Sequence, residues 1–210
     1  GAPILNLETP PGFEGESQAS TVEAINRLNT LRQAETNDPE IEARISSYEL
    51  AFRMQSSAPE LLDLSSETAE TLEMYGIEDP GKPSYARNCL LARRLIERGV
   101  RFVELFHGDW DHHTNIYKRL PVECQATDQP SAALVEDLAR RGLLDDTLVI
   151  WGGEFGRSSV AQKSQAPGEP VGRDHHVDAF TMWFAGGGVA AGRSIGETDD
   201  IGFDALTDRW

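Results

Sequence analysis

Thr147-Leu148-Val149-Ile150-Trp151 is an almost unbroken apolar run, closed by turn residues on both sides: Asp145-Asp146 before it and Gly152-Gly153 after it. Its length suits a strand rather than a helix. An apolar run without alternation suits a strand covered on both faces, as in a parallel sheet between helices. Val100-Arg101-Phe102-Val103-Glu104-Leu105-Phe106 reads as a second strand, partly alternating and rich in β-formers. Residues 179–185 supply a third, before Gly186-Gly187-Gly188. Helical patterns separate them. One covers residues 84–98 and ends at Gly99. Another covers residues 128–141, with Asp128 of Asp128-Gln129-Pro130 as its N-cap, Ala133, Leu134 and Leu138 inward, and Gly142 closing it. This alternation predicts an α/β fold, a largely parallel sheet flanked by helices.

The first third reads differently. Residues 1–19, rich in Pro, Gly and Glu, predict a surface connection, and Ser20 caps a helix to about Glu35 with Val22, Ile25, Leu28 and Leu31 on one face. Asp38-Pro39-Glu40 is a helix start, because Pro fits the first turn and acids favour its positive end. Ile41, Ile45, Tyr48 and Phe52 then stripe a helix to about Gln55, and a further helical stretch runs over residues 59–75 to Gly76. With no histidine and no clustered carboxylates, residues 1–83 are expected to be a helical scaffold or lid. Residues 84–210 are expected to form the α/β metal-site core, continuous with that region in one domain, and 210 residues suffice for a buried core.

Three polar knots carry the chemistry. Phe106-His107-Gly108-Asp109-Trp110-Asp111-His112-His113 follows the strand at 100–106 and holds three of the five histidines. Gly152-Gly153-Glu154-Phe155-Gly156-Arg157 follows the apolar run, and Gly172-Arg173-Asp174-His175-His176 holds the other two histidines. In open α/β sheets, ligands bind beyond the carboxyl ends of the strands, where the first two knots are expected to lie. Imidazole and carboxylate together suit Zn, Mn or Fe or, with more oxygen, Mg or Ca, so a divalent metal is expected. Asp111 and His113 are two apart and point the same way in an extended segment, whereas His112 points oppositely, toward substrate or an outer ligand shell. Asp109 shares the Asp111/His113 parity and is a ligand or an orienting acceptor. Asp174 and His175 are expected to complete the metal set. Glu154 is a ligand or a base, and Arg157 holds an anionic group through its planar fork of donors. The polar segment 158–173 is expected to be a mobile loop over the site.

Charge and motifs remove other classes. The formal net charge of -16 argues against a nucleic-acid partner and an anionic membrane surface. No run of about 18 apolar residues spans a membrane. Cys89 and Cys124 show neither metal-type spacing nor a disulfide framework. A nucleophile elbow, a Walker loop and a dinucleotide fingerprint are absent from the sequence. There is neither a signal peptide nor an initiator Met, and the chain opens at Gly1-Ala2-Pro3, which reads as a fragment of a longer protein.

Residues 93–103, Trp110-Asp111-His112-His113, Asp128-Gln129-Pro130, Gly152 to Arg157 and Gly172 to His176 occur in that order and resemble the sulfatase-like proteins grouped as domain of unknown function 1501, within the alkaline phosphatase superfamily. The resemblance covers nearly the whole chain. It implies an α/β sandwich with metal at the strand ends, hydrolysis of a small phosphate or sulfate ester, and an exported or periplasmic setting. Asp111 and His113 resemble the superfamily's spaced Asp and His ligands, and His175 resembles its final histidine. Glu154 stands where the superfamily has Asp, and Phe155 where it has His. The superfamily's nucleophile and a further metal carboxylate belong to an N-terminal segment that no residue here matches, so the chain resembles a C-terminal part. The resulting expectation is a metal-dependent ester hydrolase with Glu154, Arg157 and His112 at the reacting group and Asp111, His113, Glu154, Asp174 and His175 on metal. The alternatives are a non-catalytic module that binds metal or anion on the same fold, and a structural histidine-metal site.

Overall fold

The computed structural model describes residues 16–36, 38–162, 168 and 170–207. The chain divides into two compact units, Gly1–Leu64 and Ser65–Trp210.

The first unit is a helix pair, α1 (Glu16–Thr36) and α2 (Pro39–Leu62). Asp38 caps α2 as its sequence requires: the Asp38 carboxylate accepts from the Glu40 backbone N–H at 3.0 Å, and Pro39 needs no such partner. Helix α1 begins before Ser20, so Ser20 is not its cap. Its apolar stripe is not its covered face, since Leu28 and Leu31 are 67% and 62% exposed. Helix α2 continues through Pro59 to Leu62, where a break separates it from α3 (Ala69–Tyr75). The expected stretch at 59–75 is thus the end of one helix and a second, short one. Of the expected surface connection, residues 1–15 lie outside the described residues, as do the side chains of Tyr48 and Phe52.

In the second unit Thr68 caps α3 through the Thr71 N–H, and Gly76, at φ +73°, ends it in the left-handed region. Ser84 caps α4 (Tyr85–Glu97) through the Arg87 N–H at 3.0 Å. Helix α5 (Ile116–Arg140) starts twelve residues before the signal at Asp128-Gln129-Pro130. Asp128 is therefore inside the helix, and Gln129 caps another helix: its side-chain NH₂ donates to the Glu73 and Met74 carbonyls that end α3. Helices α3, α4 and α5 enclose the core, in which Tyr75, Cys89, Leu90 and Leu138 are the largest fully buried side chains.

A cationic network is buried among them. Arg93, 2% exposed, donates to Asp137 at 2.9 Å, Glu97 at 2.7 Å and Glu67 at 2.6 Å. Asp137 also accepts from the Tyr75 hydroxyl at 3.1 Å and from Arg141 at 2.7 Å. Arg94 reaches the other oxygen of Glu67 at 2.9 Å. Every carboxylate buried here meets a cation, the condition under which buried charge is tolerated.

The expected parallel sheet does not form among the described residues. Strand β1 (Leu148–Trp151) pairs antiparallel with β4 (Trp183–Gly186), with Leu148 opposite Gly186 and Trp151 opposite Trp183. Strands β2 (Gly156–Arg157) and β3 (His175–His176) form a second antiparallel pair. Residues 100–106 have no ladder partner there, and Phe102 and Phe106 are each 80% exposed. Leu148 and Ile150 of β1 are exposed as well. The α/β expectation is corrected to a helical unit carrying two small antiparallel pairs. The apolar composition of 100–106 and 147–151 specified strand-forming chain, but a strand exists only where another backbone supplies its hydrogen bonds. No helix among the described residues is long and apolar enough to cross a membrane.

Candidate metal centre

The site is assembled by one segment laid between two others. Residues 170–174 run past 112–116, where Arg173 N–H donates to His112 O at 3.0 Å and Asn115 N–H to Pro170 O at 3.0 Å. On their other side, Ser158 N–H donates to Asp174 O at 2.9 Å and Gln162 N–H to Gly172 O at 2.9 Å. The β2–β3 register sets Arg157 opposite His175. Two glycines permit this approach. A Cβ on Gly172 would lie 2.1 Å from the carbonyl carbon of His113, and one on Gly156 would lie 1.8 Å from Ala179 O. The 110–114 segment is flanked by left-handed residues, Asp109 at φ 67° and Asn115 at φ 54°, both types that tolerate that region.

These crossings bring Asp111, His113 and His175 together, with one donor atom from each in a single cluster. Asp111 Oδ1 lies 2.9 Å from His113 Nε2 and 3.0 Å from His175 Nε2, and the two ring nitrogens are 3.1 Å apart. One ion bound at ~2.0–2.2 Å holds adjacent ligand atoms roughly 3 Å apart at right-angled coordination and about 3.4 Å apart in a tetrahedron, so these separations come within about half an ångström of a shared site. Two imidazoles and one carboxylate are also a donor set that Zn and related divalent ions accept. Asp111 is 65% exposed and His175 40%, so the cluster opens to solvent. Phe155 packs against His175 with ring centres 4.4 Å apart and planes tilted by 39°, and supplies an apolar wall.

The Arg157 guanidinium donates to Asp111 Oδ1, the oxygen facing both histidines. This bond, and then the one from His175, hold the Asp111 carboxyl well below the usual carboxylate range. Arg157 also reaches Arg173 O at 3.3 Å and Trp110 O at 3.4 Å, which ties the guanidinium to the rim.

The other expected site residues are placed apart from the cluster. Asp174 accepts from the His175 N–H at 2.8 Å and lies 3.9 Å from His113 Nδ1, the nitrogen remote from the cluster. Glu154 and Asp109 are exposed and outside it. His112 is 2% exposed and neither of its ring nitrogens has a hydrogen-bond partner. Burial, with Arg119 adding, pushes it below the ordinary histidine pKa. His107 makes edge contacts with Tyr85 and Trp110, and Glu123 lies 3.7 Å from its Nε2. His176 is buried, and its Nε2 meets the carbonyl of Phe203. Of the expected loop at 158–173, residues 163–167 and 169 lie outside the described residues.

Sequence reasoning did not single out Gln162, whose Oε1 lies 2.7 Å from His113 Nδ1. It is one of two glutamines in a polar stretch, and only the backbone crossing at Gly172 brings it to the ring.

The family model described as "Protein of unknown function (DUF1501)" matches residues 1–210. The chain belongs to this family. No curated protein and no solved structure matches it.

Proposed function

We propose that Asp111, His113 and His175 bind a divalent metal that serves hydrolysis of a phosphate or sulfate ester. The observation that carries the metal is the convergence of three donor atoms from two distant segments at 2.9–3.1 Å on a solvent-open face. Without a metal, the two imidazole nitrogens and the Arg157 guanidinium share one carboxylate oxygen. A divalent ion satisfies both nitrogens and that oxygen at once.

The reaction class rests on the resemblance to the sulfatase and alkaline phosphatase superfamily, whose spaced Asp and His ligands Asp111 and His113 match. A bound divalent ion supplies Lewis-acid polarisation of an ester oxygen. Among this chain's own residues, Arg157 has the planar fork suited to an anionic phosphoryl or sulfuryl group. It stands beside Asp111, within reach of an anion bound at the cluster. Phe155 limits water on the His175 side. Glu154, exposed just before β2, is the nearest carboxylate in sequence to Arg157 and is free to serve as a base if substrate approaches that edge.

The test is turnover of generic phosphate and sulfate monoesters by the protein expressed from its complete gene, with and without added Zn, Mn, Mg or Ca. Metal-dependent turnover that is lost in Asp111→Ala supports the hydrolase. Metal binding without turnover on either ester class points instead to a metal- or anion-binding module.

A further inference from the structure

The geometry points to Gln162 as the positioning residue that fixes the tautomer of His113, an inference that rests on the metal reading above. A ligating imidazole needs its coordinating nitrogen unprotonated and its other nitrogen protonated, and an acceptor on that second nitrogen sets both the tautomer and the ring plane. His113 presents Nε2 to Asp111 and His175, and its Nδ1 faces away. Gln162 Oε1 lies 2.7 Å from Nδ1, within hydrogen-bond range, as the acceptor of an Nδ1–H.

The competing acceptor is out of reach. Asp174 Oδ1 is 3.9 Å from the same nitrogen and already accepts from the His175 N–H at 2.8 Å. A neutral amide at this position also has a distinct consequence. A carboxylate behind a ligating histidine raises its basicity, whereas glutamine orients the ring without adding negative charge to the site. The backbone holds Gln162 in place independently of its side chain, because its N–H donates to Gly172 O at 2.9 Å at the same crossing that seats His113. A side-chain substitution therefore removes the acceptor and leaves the crossing.

The experiment compares wild type, Gln162→Leu and Gln162→Glu by two readouts. The first is Zn affinity by competition with a chromophoric chelator. The second is the ¹⁵N spectrum of the His113 ring in metal-free protein at mildly alkaline pH, which distinguishes Nδ1–H from Nε2–H. Expected are an Nδ1–H tautomer in wild type and Gln162→Glu, loss of that preference in Gln162→Leu, and about 10- to 100-fold weaker Zn binding in Gln162→Leu, with Gln162→Glu restoring affinity. Unchanged affinity and tautomer in Gln162→Leu overturn the role of Gln162 while leaving the metal site standing. Wild type that binds no Zn overturns the metal reading, and the tautomer measurement then still decides the Gln162 contact.

Discussion

Replacing Arg93 by Met should destabilise the second unit by about 3 kcal/mol. Breaking a buried pair by removing one partner costs about 3–5 kcal/mol, because the remaining charge stays buried without compensation. Arg93 and Asp137 side chains are 3% and 5% exposed, and Glu67 is 9% exposed, so screening by water is slight. Two features place the loss at the lower end. Asp137 keeps Arg141 at 2.7 Å and Tyr75 at 3.1 Å, and Glu67 keeps Arg94 at 2.9 Å. Methionine also preserves much of the apolar stem of arginine, so a large cavity does not add to the penalty. The matched control is Arg140→Met. Arg140 pairs with Glu136 at 2.5 Å, but both side chains are 54% exposed, and such pairs contribute about 0–1 kcal/mol. Trp110, Trp151 and Trp183 lie in the second unit, so tryptophan fluorescence reports its unfolding in urea. At a slope of roughly 2 kcal/mol per molar urea, Arg93→Met should lower the midpoint by roughly 1.5 M and Arg140→Met by less than about 0.5 M. Equal midpoints for the two variants would refute the reasoning that burial, rather than pairing, sets the cost.

Other outcomes follow from the same contacts. Arg157→Leu frees Asp111 Oδ1 from a competing cation and should strengthen divalent-metal binding by up to about fivefold, since the pair it removes is partly exposed; weaker binding measured by calorimetry would count against that competition. Gly172→Ala places a Cβ 2.1 Å from the His113 backbone, so it should cost about 1–3 kcal/mol and weaken metal binding together; a variant with wild-type affinity would show that the crossing is not needed. Burial pushes the Cys89 thiol up to about 12, whereas an unfolded thiol titrates near about 8.5. The stabilising contribution of Cys89 is therefore complete below about 8.5 and is lost as pH rises toward its folded value, so urea midpoints should fall across that alkaline window. Thiol labelling of the native protein should modify Cys124, which is half-buried, and spare Cys89 until unfolding.

Local structure was legible wherever a short-range rule acts alone. Asp38-Pro39, Ser84, Gly76 and Gly142 mark element ends because capping and left-handed backbone are decided within a few residues. The parity of the 111–113 segment was legible for the same reason: alternation put Asp111 and His113 on one side and buried His112 on the other. Long-range pairing was not. Val100 to Phe106 has the composition of a strand, yet no described residue offers it a ladder, and the apolar run at 147–151 is paired on one edge with its faces exposed. Asp128-Gln129-Pro130 carried a start signal, but α5 passes through it because packing against α3 and α4 outweighs a local preference. The expected metal set shows the same division. Residue type pointed to Asp111, His113, Glu154, Asp174 and His175 alike; that Asp111, His113 and His175 bring their donor atoms together, and that Gln162 meets His113, follows from a crossing at Gly172 that only the folded backbone reveals.

The central claim is the three-residue metal centre, and elemental analysis of purified protein after equilibration with Zn and removal of loosely held ions tests it most directly. The account predicts stoichiometric Zn in wild type and its loss in Asp111→Ala and in His175→Ala, both with wild-type tryptophan fluorescence. Stoichiometric Zn retained in both variants would contradict it.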